Sequence, residues 1–363
     1  MTNIKRIALS TGGGDAPGLN AVIRAAVLAA LTRGWEVLGI RKGYAGLLGE
    51  DTIVLLDRDS VRGITHIGGT ILGTTNRGNP FEWPKRGADG KLVAVDRSAE
   101  VLRSFDKHNI DALISIGGDG SLSIADRLYK LGMPVVGVPK TIDNDLAVTD
   151  VTFGFQTAVQ TATEAIDKLH STAESHERVF VLEVMGRTTG WIALESGIAG
   201  TADVILIPEI PYDIEKVCEK IDARYETGRR FAIVVVSEGA APIEGGASFV
   251  ETNVVGKADR YGGIAERLAR QIGEMTGRET RSMVLGHLQR GGMPTAFDRL
   301  IATRFGAAAV RCVERGEFGT MVALDPPDIL AVPLEEAIRK IRHVPLDSDM
   351  MQAARDVGIS FGD

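Results

Sequence analysis

The chain has 363 residues, enough for one large α/β unit or two domains with a real core. Its 44% apolar and 25% charged residues are ordinary for a soluble enzyme, and a net charge of −7 without any basic run argues against general nucleic-acid binding. No apolar run approaches the ~20 residues of a membrane span, the start MTNIKRIALS lacks a signal-peptide core, and Cys218 and Cys312 lack metal-ligand spacing, so a cytoplasmic, reducing location is expected.

Lys5 to Ser10 reads as a short buried strand opening into Thr11-Gly-Gly-Gly-Asp15-Ala-Pro-Gly18-Leu-Asn20, followed by a helix over Ala21–Thr32. Strand, glycine-rich turn and helix start form the layout of a phosphate or nucleotide loop. The turn is neither a Rossmann GxGxxG nor a P-loop, and a plain tight βα turn reads the same way. Trp35–Ile40 is the next expected strand. Residues 52–67 read as an outer strand and short helix before the polar loop Gly68–Gly78, where Arg77 is a phosphate-ligand candidate. Residues 80–97 read as an exposed insertion or hairpin, and Ala99–Lys107 as a helix.

The most informative stretch is 110–145. An apolar run, Ala112 to Ile116, ends in Gly117-Gly118-Asp119-Gly120-Ser121; an amphipathic segment covers Leu122–Leu131; a second run, Val135 to Val138, ends in Pro139-Lys140-Thr141-Ile142-Asp143-Asn144-Asp145. That is strand, helix, strand, with both strands ending in polar residues at the same end. Ligands bind at the carboxyl ends of strands in open parallel sheets. Glycines let backbone N–H groups approach phosphate, and three neighbouring carboxylates suit a metal ion and a proton acceptor. Phosphoryl transfer is the chemistry this points to.

Further along, strands at Val179–Val184, Val204–Ile207, Phe231–Val236 and Met283–Leu285 alternate with helices at 155–171, Trp191–Ala199, Ile214–Thr227, Gly262–Gly277 and Asp298–Arg315. Five strand ends carry charged or glycine residues: 117–121, 139–145, 185–187, 237–238 and 286–292. The expected fold class is α/β, with two Rossmann-like three-layer α/β/α halves and the active site in the cleft between them. Residues 1–145, with part of 316–363, form the expected first half and 146–315 the second.

GGDGS, PKTIDND, EVMGR and VLGHLQRGG, in this order, together with TGGGDAPGLNAVIR, make the chain resemble the 6-phosphofructokinase family over about residues 4–310. The resemblance implies transfer of a phosphoryl group to the 1-hydroxyl of fructose 6-phosphate. It implies that Asp119 helps hold Mg²⁺, with Gly118, Gly120 and Ser121 around the donor phosphates. It makes Asp143 the base, with Gly14, Thr141 and Arg187 beside it in the catalytic group and Asp145 in support. Met185, Gly186, Arg187, Glu238, His287 and Arg290 correspond to acceptor-binding positions, while Arg178 and Arg281 correspond to arginines that reach the 6-phosphate from a neighbouring subunit. A homodimer or homotetramer with shared active sites follows from that, with no nucleic-acid or membrane partner. Gly14, Tyr44, Arg77 and Lys140 are expected around the donor.

The donor itself divides the family. Pyrophosphate-dependent relatives carry Asp where Gly120 stands, and its carboxylate would repel a nucleotide α-phosphate; Gly120 therefore favours ATP. Lys140 stands where pyrophosphate enzymes have lysine and many ATP enzymes glycine. Steric exclusion is harder to overcome than an added cation, so ATP is expected and pyrophosphate is the alternative. A different acceptor, such as sedoheptulose 7-phosphate, is a further one. Arg24, Arg58 and Asp203 match positions of the family's effector site, whereas Leu28, His170 and Phe231 replace other groups there, so weak or altered allostery is expected.

Overall fold

The continuous run Ile-Ala-Leu-Ser-Thr after Arg6 makes Arg6–Thr11 (β1) a strand with both faces buried, as in a parallel sheet covered by helices. In the computed structural model, residues 4–49, 52–76, 78–87, 90–246, 249–251 and 260–363 are described. Within those residues the chain folds as two units: Met1–Thr157 with Arg290–Ile341, and Ala158–Asn253 with Ala258–Gln289 and Arg342–Asp363.

In the first unit β1 leads to α1 (Leu19–Thr32), β2 (Glu36–Ile40) and β3 (Ile53–Leu56). A small hairpin, β4 (Trp83–Arg86) and β5 (Leu92–Val95), precedes α2 (Ser98–Lys107). Then come β6 (Ala112–Gly117), α3 (Asp119–Lys130), β7 (Val135–Thr141), the two-residue β8 (Phe153–Gly154) and the start of α4 (Phe155–His176). In the second unit β9 (Val179–Val184), α5 (Trp191–Ala199), β10 (Val204–Leu206), α6 (Ile214–Glu226) and β11 (Ala232–Ser237) alternate. A short pair, β12 (Phe249–Glu251) and β13 (Arg260–Tyr261), precedes α7 (Ile264–Thr276) and β14 (Thr280–Val284). The chain returns to the first unit with α8 (Ala296–Arg315), β15 (Thr320–Asp325), β16 (Asp328–Pro333) and the single turn α9 (Leu334–Ala337); α10 (Asp349–Asp356) belongs to the second.

The first sheet runs β16-β15-β7-β6-β1-β2-β3, with β8 paired to the end of β7. Its centre is parallel, and antiparallel β16 and β3 form the edges. The order reverses at β1, which has β2 on one side and β6 on the other, both parallel. The carboxyl ends of β1 and β6 are thus a topological switch point, the position where open α/β sheets bind ligands. One face of the sheet packs Leu113, Val135 and Met321 against Val101, Phe105, Leu122 and Leu128 of α2 and α3. The other face lies under α1 and α8. Those two helices meet through small residues: a Cβ added at Gly306 would stand 2.6 Å from the Val22 carbonyl oxygen. This close packing gives α8 to the first unit instead of the second, the one expected from the sequence, and the observed division falls at Thr157 instead of 145.

The second sheet is all parallel, in the order β10-β11-β9-β14. Val181, Val234 and Val236 pack on Val217, Ile221, Leu268 and Ile272 of α6 and α7. On the opposite face Ile205 meets Gly197 of α5. The outer edge of β10 is covered by the C-terminal residues, with Ile205 N–H donating to the Ser360 carbonyl (2.9 Å) and Ser360 N–H to that of Asp203 (3.1 Å).

Two local expectations change. No helix forms over 57–67; Asp57 and Ser60 exchange side-chain to backbone hydrogen bonds (2.8 Å each) and hold turns instead. Helix α3 begins at Asp119 and not at Leu122. No helix among the described residues is long and apolar enough to cross a membrane.

Candidate functional site

At the switch point the loops after β1 and β6 touch. Gly12 N–H donates to the Ile116 carbonyl (3.0 Å), and Gly13 N–H to that of Thr75 (3.2 Å). Added Cβ atoms at Gly12 and Gly117 would lie 2.6 Å from Ser121 Oγ and 2.3 Å from Ser121 Cβ, so the absence of side chains is what admits Ser121 between the loops. Gly118 is extended and caps α3. The segment read as a phosphate loop is therefore a strand end, an N-cap and the first helical turn. That arrangement leaves free N–H groups and the positive end of the helix dipole at one place.

Gly120 lies in this first turn with nothing within 4 Å of where its Cβ would be. Glycine in a helix costs about 0.5–1 kcal/mol relative to alanine, and no packing here demands it. Asp119 and Gly120 are exposed, while Ser121 is buried.

Three carboxylates gather beside this turn. Asp143 N–H donates to Thr141 Oγ1 (3.1 Å), and Asn144, left-handed at φ 52°, accepts the Thr152 N–H on Oδ1 (3.1 Å). Asp145 Oδ1 is buried and lacks a hydrogen-bond partner. Burial, then repulsion from Asp143 and Asp119, pushes the Asp145 carboxyl up to about 7. Mutual repulsion and an orphaned buried oxygen are what a cation would relieve, so this donor set fits Mg²⁺. Among the described residues no three His, Cys, Asp or Glu side chains converge tightly enough to hold a metal alone. Hard oxygens from phosphate and water would have to complete the shell, as Mg²⁺ commonly requires.

Lys140 is 3% exposed and its ammonium donates to the Gly14 carbonyl. Burial and the nearby Arg290 push it down to about 8, against the pull of Asp143, Asp15 and Asp119. Arg290 Nη1 donates to the Asp15 carbonyl (3.0 Å) and would meet a Cβ at Gly14 at 2.6 Å. The structure thus brings Arg290 to the Gly14 loop of the first unit. Tyr44, expected around a nucleotide, lies in the apolar core at 4% exposure, its hydroxyl on Ser115 Oγ (2.8 Å) and the Ser121 carbonyl (3.3 Å). It supports the turn from beneath. Arg77 lies outside the described residues.

In the second unit Met185–Arg187 follow β9, Glu238 follows β11, and His287 sits in the turn Gly286–Arg290 after β14. The Gly186 carbonyl accepts Ser237 Oγ–H (2.6 Å) and Gly239 N–H (3.1 Å); Met185 N–H donates to Gln289 Oε1 (2.8 Å). These contacts join three strand ends into one group, with Arg187 and His287 exposed. Gln289, fully buried, was not singled out in the sequence: a glutamine between His287 and Arg290 carries no signal of its own until its oxygen is seen to hold Met185.

Arg178 and Arg281 do not join that group. They stand at the amino ends of β9 and β14, where both pair with Glu279, Arg178 at 2.8 Å. The length of β9 separates them from Met185, roughly 20 Å at ~3.3 Å per residue. Asp203, matched to an effector-site metal ligand, is committed internally: Oδ1 pairs with Arg224 (2.6 Å) and Oδ2 accepts the Ile233 N–H (2.9 Å).

A family model described as phosphofructokinase matches residues 6–313. The chain is 52% identical over 359 residues to an ATP-dependent 6-phosphofructokinase of Chloroflexus aurantiacus, covering 99% of this chain and 98% of that protein. It is 51% identical over 347 residues to a pyrophosphate–fructose 6-phosphate 1-phosphotransferase of Amycolatopsis methanolica, covering 94% and 96%. Among solved structures, that of Pichia pastoris phosphofructokinase in the T-state is similar with a TM-score of 0.78 and 34% identity; the match covers 99% of this chain and 37% of that longer one.

Proposed function

The chain belongs to the phosphofructokinase family, and from that premise we propose that it is an ATP-dependent 6-phosphofructokinase. It transfers the γ-phosphoryl of MgATP to the 1-hydroxyl of fructose 6-phosphate, giving fructose 1,6-bisphosphate and ADP. Full-length relatives at about 50% identity named ATP-dependent 6-phosphofructokinase support ATP as the donor, beside one at 51% that is named for pyrophosphate. The observation that carries the choice is Gly120, whose missing side chain leaves open space at the phosphate-facing turn of α3. Lys140, the residue that pointed the other way, is buried and donates to the Gly14 carbonyl.

The first unit carries the donor residues: the Gly12–Gly14 loop, Gly118, the first turn of α3 with Ser121, and Lys140 holding Gly14 in place. Asp119, with Asp143 and Asp145 nearby, would hold Mg²⁺, which neutralises charge on the donor phosphates when bound. Asp143 takes the proton as the sugar oxygen forms its bond to phosphorus and the β–γ bridging P–O bond breaks toward ADP. Met185, Gly186, Arg187, Glu238 and His287 bind the acceptor, with Arg187 supplying a guanidinium to a phosphate and Glu238 accepting from sugar hydroxyls. Arg290 adds positive charge beside Gly14. Arg178 and Arg281 serve the 6-phosphate of a second copy, which makes the working enzyme a homo-oligomer; their place at the amino ends of the strands supports this reading.

Initial rates with ATP and with pyrophosphate at saturating fructose 6-phosphate test the donor. The wild type should turn over with ATP, and Gly120→Asp should lose ATP-supported activity by about tenfold or more relative to any pyrophosphate-supported rate, as expected for a like charge set against the nucleotide α-phosphate. Equal losses with both donors would remove the reason for choosing ATP.

A further inference from the structure

Glu209 lies just beyond β10, and its side chain is only 6% exposed. Both carboxylate oxygens accept the Gly190 N–H (3.1 and 3.0 Å), and Oε1 also accepts the N–H of Val344 (2.9 Å). Gly190 is the N-cap of α5 and has no side chain with which to cap it. A Cβ there would fall 2.3 Å from Ile207 and 3.0 Å from Glu209 Oε2, so the helix must take its capping anion from another strand end. A buried carboxylate is a costly way to satisfy two N–H groups unless its position matters.

Its position is at the far end of the loop that begins with Met185. The near end is held by Gln289, Ser237 and Gly239. Arg187 lies between the two sets of anchors. The C-terminal segment reinforces the far one: the Trp191 indole N–H donates to the Arg342 carbonyl (2.9 Å), the Arg342 guanidinium stands 4.7 Å over that indole, and Val344 is 2% exposed. His343 Nδ1 lies 3.8 Å from Glu209. Residues 342–344 thus grip Glu209 and the first residue of α5 together.

We infer that Glu209, braced by the C-terminal segment 342–344, is a positioning residue for the acceptor loop Met185–Arg187, acting on sugar-phosphate binding without touching the substrate. This rests on the reading that Met185–Arg187 bind the acceptor. It gives the tail a role that its sequence did not disclose.

Glu209→Gln tests it, because glutamine keeps the shape but puts an amide NH2 in place of one oxygen, and since both oxygens lie within 3.1 Å of the Gly190 nitrogen that NH2 must face the Gly190 N–H. The expected result is a rise in the KM for fructose 6-phosphate of about tenfold, the scale of one lost charge-assisted hydrogen bond. The KM for ATP should stay within about twofold, and amide exchange should quicken at Gly190 and Trp191. Parallel changes in both KM values, or none, would overturn the inference. Arg187→Ala is the companion variant. If it raises the sugar-phosphate KM while Glu209→Gln does not, the inference fails and the acceptor site stands; if neither does, both fail. Should Glu209→Gln not fold, Val344→Pro removes the tail N–H while leaving Glu209 itself in place, and the same selective rise is required of it.

Discussion

Asp143 owes its place to a turn and not to a helix. Its own N–H is held by Thr141, and the next residue, Asn144, is fixed in the left-handed region by the Thr152 N–H. Both contacts lie in the turn itself, so Asp143→Asn should preserve the turn while removing the proposed base. The expected loss in kcat is about 10²–10⁴-fold with little change in the fructose 6-phosphate KM, read from steady-state kinetics. The place of Asp143 just beyond a strand was legible in the sequence; its role as the base rests on the likeness of PKTIDND to the family. Tyr44 and Lys140 each sit beside glycine-rich, polar residues, and only the fold shows that both side chains are buried. Glu209 lies two residues beyond the strand expected at Val204–Ile207, but its partners lie 19 and 135 residues away along the chain.

At the scale of elements, Asp298 joins the start of α8 to β8 and α4. It is fully buried and accepts the N–H of Gly154 (2.9 Å), the N–H of Thr157 (2.7 Å) and the Thr157 hydroxyl (2.6 Å). Burial raises its carboxyl above the usual range despite those bonds. A carboxyl raised in the folded state binds more protons folded than unfolded. Its contribution is therefore fully present below the unfolded value of about 4 and is lost as pH rises through the higher folded value. Urea unfolding of the wild type should show that decline above about pH 4, and Asp298→Asn should flatten it; an unchanged slope would count against the assignment. The strand–helix alternation and the polar strand ends were readable from periodicity and turn chemistry. The membership of α8 was not, since Gly306 and the alanines around it mark a helix that packs closely without saying against which partner. The start of α3 was missed because glycines and Asp119 read as loop until Gly118 is seen to cap the helix.

For the whole molecule, Arg178 and Arg281 make the sharpest statement. If each acceptor site borrows them from another copy, an Asp143→Asn enzyme and an Arg281→Ala enzyme, each nearly inactive, should regain activity when dissociated, mixed and reassembled. Every site built from the intact Asp143 of one chain and the intact Arg281 of the other would work. Activity that stays at the sum of the separate variants would argue that the arginines serve their own chain. The exposed edge strand β14, with Met283 45% and Val284 53% exposed beside Arg281, is surface that such an assembly would cover.

The last residues of the chain finish the second sheet: Ser360 pairs with the edge of β10, Phe361 is fully buried, and the Gly362 carbonyl accepts the Asp213 N–H (2.7 Å) at the start of α6. During synthesis these residues emerge long after the strands they complete. Until residues 342–362 have been made, β10 has no neighbour on its outer side and Glu209 lacks its second N–H partner. The carboxylates of residues 119–145 are made early, whereas the second sheet is completed late. A nascent chain stalled before residue 342 would therefore show an unpaired, apolar strand edge, the kind of surface that chaperones recognise and aggregates grow from.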